Sequence, residues 1–181
     1  DGRAAPIAVK NPIAAHLDVM RTTLAGGLLD VLRTNLARKH ERIRVFEAGR
    51  CFRRADQGYD QPVRLGGLAY GDALPEQWGC VARSVDLFDV KSDLAGLVAP
   101  RTLTTERAEH ALLHPGRAAS VLVEGSPVGW LGELHPRIAK AFELPRAPIL
   151  FELDLASLLA CGLPTTRPVS RLPVVRRDLA V

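Results

Sequence analysis

The residues of this chain best suited to chemistry are its arginines. In Gly49-Arg50-Cys51-Phe52-Arg53-Arg54 three guanidinium groups fall within five residues, and a guanidinium is a permanently charged fork of N–H donors that matches phosphate or carboxylate. The basic run extends upstream through Arg38-Lys39-His40, Arg42 and Arg44, with Glu41 and Glu47 interleaved and only Phe46 and Phe52 as nearby aromatics. Nucleic-acid phosphate, ion pairing with a partner chain and a plain solvated edge all suit such a stretch, and the residues alone leave the three open.

The carboxylates and imidazoles form weaker constellations. Asp86, Asp89 and Asp93, with Lys91 among them, are a cluster of the kind that binds Mg²⁺, but their spacing suits the start and solvated face of a helix better. His114 precedes Pro115-Gly116 and His135 precedes Pro136. The two rings could meet as metal ligands or as an acid/base pair, yet each is expected to bond locally and fix a turn beside its proline. Ser126 lies in Gly125-Ser126-Pro127, a turn sequence and not a G-x-S-x-G nucleophile elbow, so a hydrolase triad is not expected. Cys51, Cys80 and Cys161 are odd in number and far apart, without zinc-ligand spacing; they are expected to be reduced and mostly packed.

What must position these groups is one compact unit. With 181 residues, 47% hydrophobic and 24% charged, the chain can bury a sizeable core and is neither fibrous nor disordered in composition. No apolar run reaches the roughly 18 residues of a membrane span and no signal peptide is evident, so a cytoplasmic protein without membrane contact is expected. The net charge of +4 permits contact with a polyanion without requiring it.

Hydrophobic periodicity supplies the elements. Leu24, Leu28, Leu29, Leu32 and Leu36 predict a helix from Thr22 to about Lys39, capped by Thr22 or Thr23. Arg42 to Glu47 and Arg50 to Arg53 predict two strand pieces separated at Gly49, and Val63 to Tyr70 a further strand. A second helix is expected after a Ser84 cap, with Val85, Leu87, Phe88, Leu94, Leu97 and Val98 on its apolar face and Pro100 as its end. A strand near Arg101 to Glu106 comes next. Ala119–Val123, a four-residue turn over Glu124–Pro127 and Val128–Gly132 then predict a hairpin. A short helix from Pro136 through Glu143, a strand over Ile149–Leu153 and a helical piece over Leu155–Ala160 complete the pattern. The lead-in to Met20, with Pro6 and Pro12, reads as extended. Without a strand-helix-strand alternation, the class is α+β, a mainly antiparallel sheet flanked by helices. Its centre is expected to be the Asn11–Asn35 region with the Phe46–Arg54 strands.

Seven segments in order resemble one family. They are Asn11-Pro12-Ile13 leading to Val19-Met20-Arg21-Thr22-Thr23-Leu24, with Gly27-Leu28-Leu29 and Asn35; Phe46 to Phe52; Phe88-Asp89-Val90-Lys91-Ser92-Asp93; His114 to Ala119; Gly129 to Pro136; Phe151 to Leu155; and Leu172 to Val181. Together they resemble the catalytic-like core of the phenylalanyl-tRNA synthetase β subunit, a class II aminoacyl-tRNA synthetase fold. The resemblance implies an (αβ)₂ ligase that attaches phenylalanine to tRNA with ATP and magnesium. In it the α subunit carries the active site and this core packs against α as a pseudo-symmetric partner. It also implies a boundary near 172/173, with 173–181 opening a ferredoxin-like anticodon-binding domain, and an editing domain with its magnesium-binding carboxylates before Asp1.

The same resemblance bears on catalysis. Adenylation in class II synthetases uses one arginine in motif 2 and another in motif 3 to stabilise charge on the α-phosphate. Arg53 or Arg54 stands near the first position, but Ala55 replaces the acid of the usual Phe-Arg-x-Glu pattern and Asp56 only approximates it. Nothing after Phe151 supplies the second, since Leu155 to Leu163 is apolar with Gly162 as its only glycine. No catalytic or metal-binding residue and no cofactor are therefore expected in this chain. Arg50, Arg53 and Arg54 remain as contacts to tRNA or to α, and the alternatives are a residual ATP-binding domain or a stand-alone RNA-binding module.

Overall fold

A computed structural model describes residues 6–14, 18–160 and Arg177. Cys161, the glycine after it and the expected 172/173 boundary lie outside the described residues.

The first element is helix α1, Ala25–Ala37, which buries Leu28, Leu29 and Leu32 on the face that their spacing predicts. It begins later than expected, and its N-cap is Leu24 without a side-chain cap. Neither Thr22 nor Thr23 is the N-cap residue, although the Thr23 hydroxyl accepts from the Ala25 amide (3.2 Å) while donating to Glu152 (2.6 Å). Upstream, Val9 and Met20 donate to Asp18 and Ile7 carbonyls, so the lead-in folds back on itself about the Ala8–Val19 bridge.

Strand β1, Ile43–Arg50, runs unbroken through Gly49. The expected interruption falls instead at Cys51-Phe52, before β2, Arg53–Arg54, and β3, Tyr59–Asp60. Gly49 marks a close approach and not a break: a Cβ there would collide with the Arg21 guanidinium, which lies across the strand. Strand β4, Val63–Tyr70, pairs with β1 along its whole length.

Helix α2, Leu87–Val98, starts from Asp86, not Ser84. The Asp86 side chain accepts from the Phe88 and Asp89 amides while Asp89 accepts from the Asp86 amide, a reciprocal capping box. Ser84 is drawn into a bridge with Asp72. The buried face of α2 is Val90, Leu94 and Val98, while Phe88 and Leu97, expected on it, are exposed. Strand β5 is Leu103–Arg107.

Strands β6, Leu113–Val123, and β7, Ser126–Leu134, form the hairpin. Its turn is two residues, Glu124 and Gly125, both at positive φ, the geometry whose twist suits a tight hairpin. Ser126 and Pro127 therefore belong to β7 and not to the turn. The register shift between Val121 and Leu122 leaves Val128 as an extra residue in β7, so Val128 and Leu131 share one face. Helix α3, Pro136–Ala141, strand β8, Ile149–Asp154, and helix α4, Leu155–Leu159, complete the described chain.

Six strands form one antiparallel sheet in the order β1-β4-β8-β7-β6-β5. One face packs against α1 and α3 through Leu24, Leu28, Leu32, Leu68, Leu134 and Leu150. The other packs against α2 and α4 through Ala69, Val90, Leu94, Leu131, Ile149 and Leu153. The expectation that β1 is central is corrected: it is an edge strand, and Phe46 on it is 78% exposed. Strands β8 and β7 are the middle pair, and β4 and β8 are buried on both faces. Leu28→Ala or Leu32→Ala should cost roughly 2–5 kcal/mol in urea unfolding; a loss under about 0.5 kcal/mol would place that residue outside the core.

Candidate functional site

The arginine cluster sits at the end of edge strand β1. Cys51 donates its amide to the Pro62 carbonyl (3.0 Å) and Phe52 donates to the Arg21 carbonyl (2.9 Å), which turns the chain out of the sheet. The β2–β3 ribbon that follows pairs Arg53 with Asp60 and Arg54 with Tyr59 in register. It closes on a bond from the Ala55 amide to the Gly58 carbonyl (3.2 Å), with Gly58 at φ +86. Arg54, Tyr59 and Asp60 are exposed and Arg53 is half-buried. Arg50, at the root of the ribbon, reaches the Gln61 carbonyl at 3.5 Å, a weak contact. Arg50, Arg53 and Arg54 are thus brought onto one short projection, while Arg42 and Arg44 are drawn off to the Ala73 carbonyl and Arg44 also to Asp93.

The residues holding that projection were not legible as a site. Arg21 donates Nε to the Arg50 carbonyl (2.8 Å) and pairs with Glu47, tying the lead-in to the end of β1. Cys51, fully buried beside them, has its thiol pushed up to about 11 by burial, with the Glu152 charge adding to the shift. A thiol held that high is unreactive at neutral pH.

Glu152 is the central group. It lies mid-strand in β8, only 7% exposed, and accepts from the Thr23 hydroxyl (2.6 Å) and the Leu24 amide (2.8 Å). Its ladder partners are Gly66 and Trp130, and the Trp130 ring stacks on His110 with centroids 4.6 Å apart. Burial pushes the His110 imidazole below its ordinary value. Beside this group an apolar cavity of about 190 Å³ opens between α1 and α3, lined by Thr23, Leu29, Trp130, Leu134, Phe142 and Leu150. The sequence signal for Glu152 is a carboxylate inside the otherwise apolar run Ile149–Leu153, since a buried charge needs partners.

The sequence matches the family model of the phenylalanyl tRNA synthetase beta chain CLM domain over residues 1–155. The chain belongs to the phenylalanyl-tRNA synthetase β-chain family. It is 53% identical to the phenylalanine–tRNA ligase beta subunit of Ralstonia nicotianae, over 99% of this chain and 23% of that protein. Against the Burkholderia lata subunit the figures are 52%, 99% and 23%. The chain thus spans about a quarter of the length of the curated relatives it matches. Its fold is similar to that of a pyrrolysyl tRNA synthetase from Desulfitobacterium hafniense, with a TM-score of 0.58 and 16% identity over 85% of this chain and 51% of that one.

In this β-chain domain the remaining candidate groups are structural. Asp86 and Asp89 cap α2, Arg83 pairs with both, and Asp93 pairs with Arg44. His114 Nδ1 accepts from the Gly116 amide (3.0 Å) and His135 Nδ1 from the Arg137 amide (3.1 Å), so each ring fixes its own turn as expected. Among the described residues no three His, Cys, Asp or Glu side chains group to hold a metal ion. After β8, Asp154 caps α4 through the Ser157 amide (2.9 Å), and Arg101 donates to the Ser157 and Leu158 carbonyls at the other end of α4. Among the described residues no helix is long and apolar enough to cross a membrane.

Two outcomes test these assignments. Glu152→Ala leaves two donors without an acceptor and should cost about 2–3 kcal/mol, whereas Glu152→Gln keeps an acceptor and should cost less. A neutral Glu152→Ala would show that the bonds are not made. The Arg83 hydrogen bond lowers Asp89 from 3.8 to about 2 against the opposing effect of burial, and the Asp86 amide assists. A carboxylate with a depressed folded-state value contributes stability above about pH 4 that is lost as pH falls toward 2. The stability gap between the unaltered chain and Asp89→Asn should close over that window, and a gap that stays constant would refute the pairing.

Proposed function

We propose that this chain is the non-catalytic, synthetase-like core of a phenylalanine–tRNA ligase β subunit, and that it packs against the catalytic α subunit of a cytoplasmic (αβ)₂ enzyme. The observation that carries the reading is the junction of β8 and α4. An adenylating site of this fold needs a strand end open enough for ATP and a cation on the helix that follows it. Here β8 ends in Leu153-Asp154 and α4 is Leu-Ala-Ser-Leu-Leu, so the position carries a carboxylate and aliphatic side chains. Among the described residues, Arg101 and Arg64 near α4 are engaged with its carbonyls and with Asp154. These residues do not fit ATP and magnesium. Loss of one such clamp removes about 3 kcal/mol or more of transition-state stabilisation, a factor of about 150 or more in rate.

On this reading ATP and magnesium belong to the α subunit's site, and the β-chain core contributes surface and rigidity. The β2–β3 ribbon with Arg50, Arg53 and Arg54 is a contact element toward α or tRNA. Its exposure favours a second reading, a stand-alone RNA-binding module, which predicts tRNA affinity without α and a steep loss with added salt. The chain alone should support no phenylalanine-dependent exchange of pyrophosphate into ATP, and full-length β should form a stable complex with α. Exchange by α-free material would refute the non-catalytic assignment. Failure of β to bind α, together with tight salt-sensitive tRNA binding by the chain, would favour the second reading.

A further inference from the structure

The cavity between α1 and α3 is held open by contacts made outside it. On one side Glu152 fastens the start of α1 through the Thr23 hydroxyl and the Leu24 amide, and the Ala25 amide donates to the same hydroxyl at 3.2 Å. On the other, the Leu134 amide donates to the Pro148 carbonyl (2.9 Å) and the His135 amide to the Leu112 carbonyl (2.8 Å), which sets the root of α3. His110 stacks on Trp130 and braces that wall. None of these contacts depends on what fills the space of about 190 Å³.

The lining is almost wholly carbon, with Leu29, Leu113, Trp130, Phe142 and Leu150 among its walls. Thr23 is the only lining residue with a hydroxyl, and that group is spent on Glu152 and the Ala25 amide. A buried water needs two to four polar partners, which this lining does not supply. An apolar cavity of about 150 Å³ stays dry and takes benzene, so this one has room for a six-membered ring with a short substituent. Gly26, exposed in the first turn of α1, borders the entrance, and a Cβ there would meet no atom within 4 Å. Glycine weakens the helix that holds it, and here it leaves the entrance unplugged.

We propose that this cavity is a binding site for a small uncharged aromatic molecule of the size of toluene or indole. Its compact shape, walled by α1, α3 and three strands, suits a free molecule and not a peptide segment, which needs a longer groove. Charge decides the class of ligand. No Lys, Arg, Asp or Glu lines the cavity, so an ammonium or carboxylate carried in on the ring would be buried without a partner. Free amino acids are excluded on the same ground. The inference stands apart from the reading of the domain as a partner of α.

Full-length β subunit, alone and with α, is crystallised and pressurised with xenon, and toluene binding is measured by titration calorimetry. Xenon should occupy the space between α1 and α3, and toluene should bind at about 1 mM or tighter. Gly26→Leu, which places a side chain in the entrance, should weaken toluene binding about tenfold or more, and Ala25→Leu, which fills the cavity from within, should do the same. Gly26→Ala relieves the glycine without reaching inside and should leave binding unchanged, so the contrast with Gly26→Leu isolates this site from any other apolar site on the protein. Benzoate and benzylamine, the same ring with a charge, should bind at least about tenfold more weakly than toluene. Ordered water in the cavity, or a side chain of α or of another β domain filling it, would overturn the proposal. So would toluene binding that both leucine variants leave intact, which would mark an adventitious additive only, and benzoate binding equal to that of toluene.

Discussion

A carboxylate buried at the centre of a sheet must be answered by donors, and in this fold the answer sets the position of α1. Glu152 accepts from the Thr23 hydroxyl and the Leu24 amide, so the start of the helix is held by a side chain from the strand beneath it. The amide would otherwise be one of the unpaired donors that every helix start presents, and the anion sits where the helix dipole favours it. The neighbouring strand makes the room. Gly66, opposite Glu152 in the ladder, has Leu24 and Leu28 so close that an added Cβ would lie 3.0 Å from Leu24. A glycine that lets the helix descend and a glutamate that fastens its end therefore act at one level of the sheet.

The rest of the fold is arranged around that contact. With α1 seated on one face through Leu28 and Leu32, the opposite face is left to α2 and α4, and β4 and β8 are buried on both sides. Local devices fit the sheet between its two helical layers. Gly67 accepts the Phe151 ring against its backbone, the bulge at Val128 re-aims β7, and Arg101 completes the end of α4. The sheet edge at β1 stays open, with Phe46 and Leu97 on the lips of an apolar groove of about 330 Å³ and the Arg44–Asp93 pair beside them. Charged residues along β1 guard it against pairing with another edge.

This distribution bears on what a domain of the phenylalanyl-tRNA synthetase β-chain family does with a synthetase-like sheet. The central polar group is committed to holding a helix, and on the β2–β3 ribbon Arg54 is exposed while Arg53 is half-buried. The most exposed aromatic stands on the β4–α2 loop, away from the cores. Polar chemistry in the interior is structural, and exposed groups lie on several parts of the surface, among them Arg54 on the β2–β3 ribbon, Trp78 on the β4–α2 loop and Phe46 at the open edge of β1.

The sequence by itself determined the types of the main helices and strands, the buried face of α1, the antiparallel class, the hairpin and the family, because each depends on periods of two or 3.6 residues or on short ordered motifs, but it read 55–62 as a loop, where the structure has strand β3. It also placed the two histidines correctly, since each bonds only two residues along the chain. Only the tertiary structure decided that Leu24 is the N-cap of α1 with its amide held by Glu152, that β1 is an edge and passes through Gly49, that Asp86 displaces Ser84, and which apolar side chains stand in solvent. The physical reason is separation along the chain. Thr23 and Glu152 are 129 residues apart, and Gly49 owes its place to Arg21 lying across the strand; no local pattern records a contact whose partner is supplied by another element of the fold.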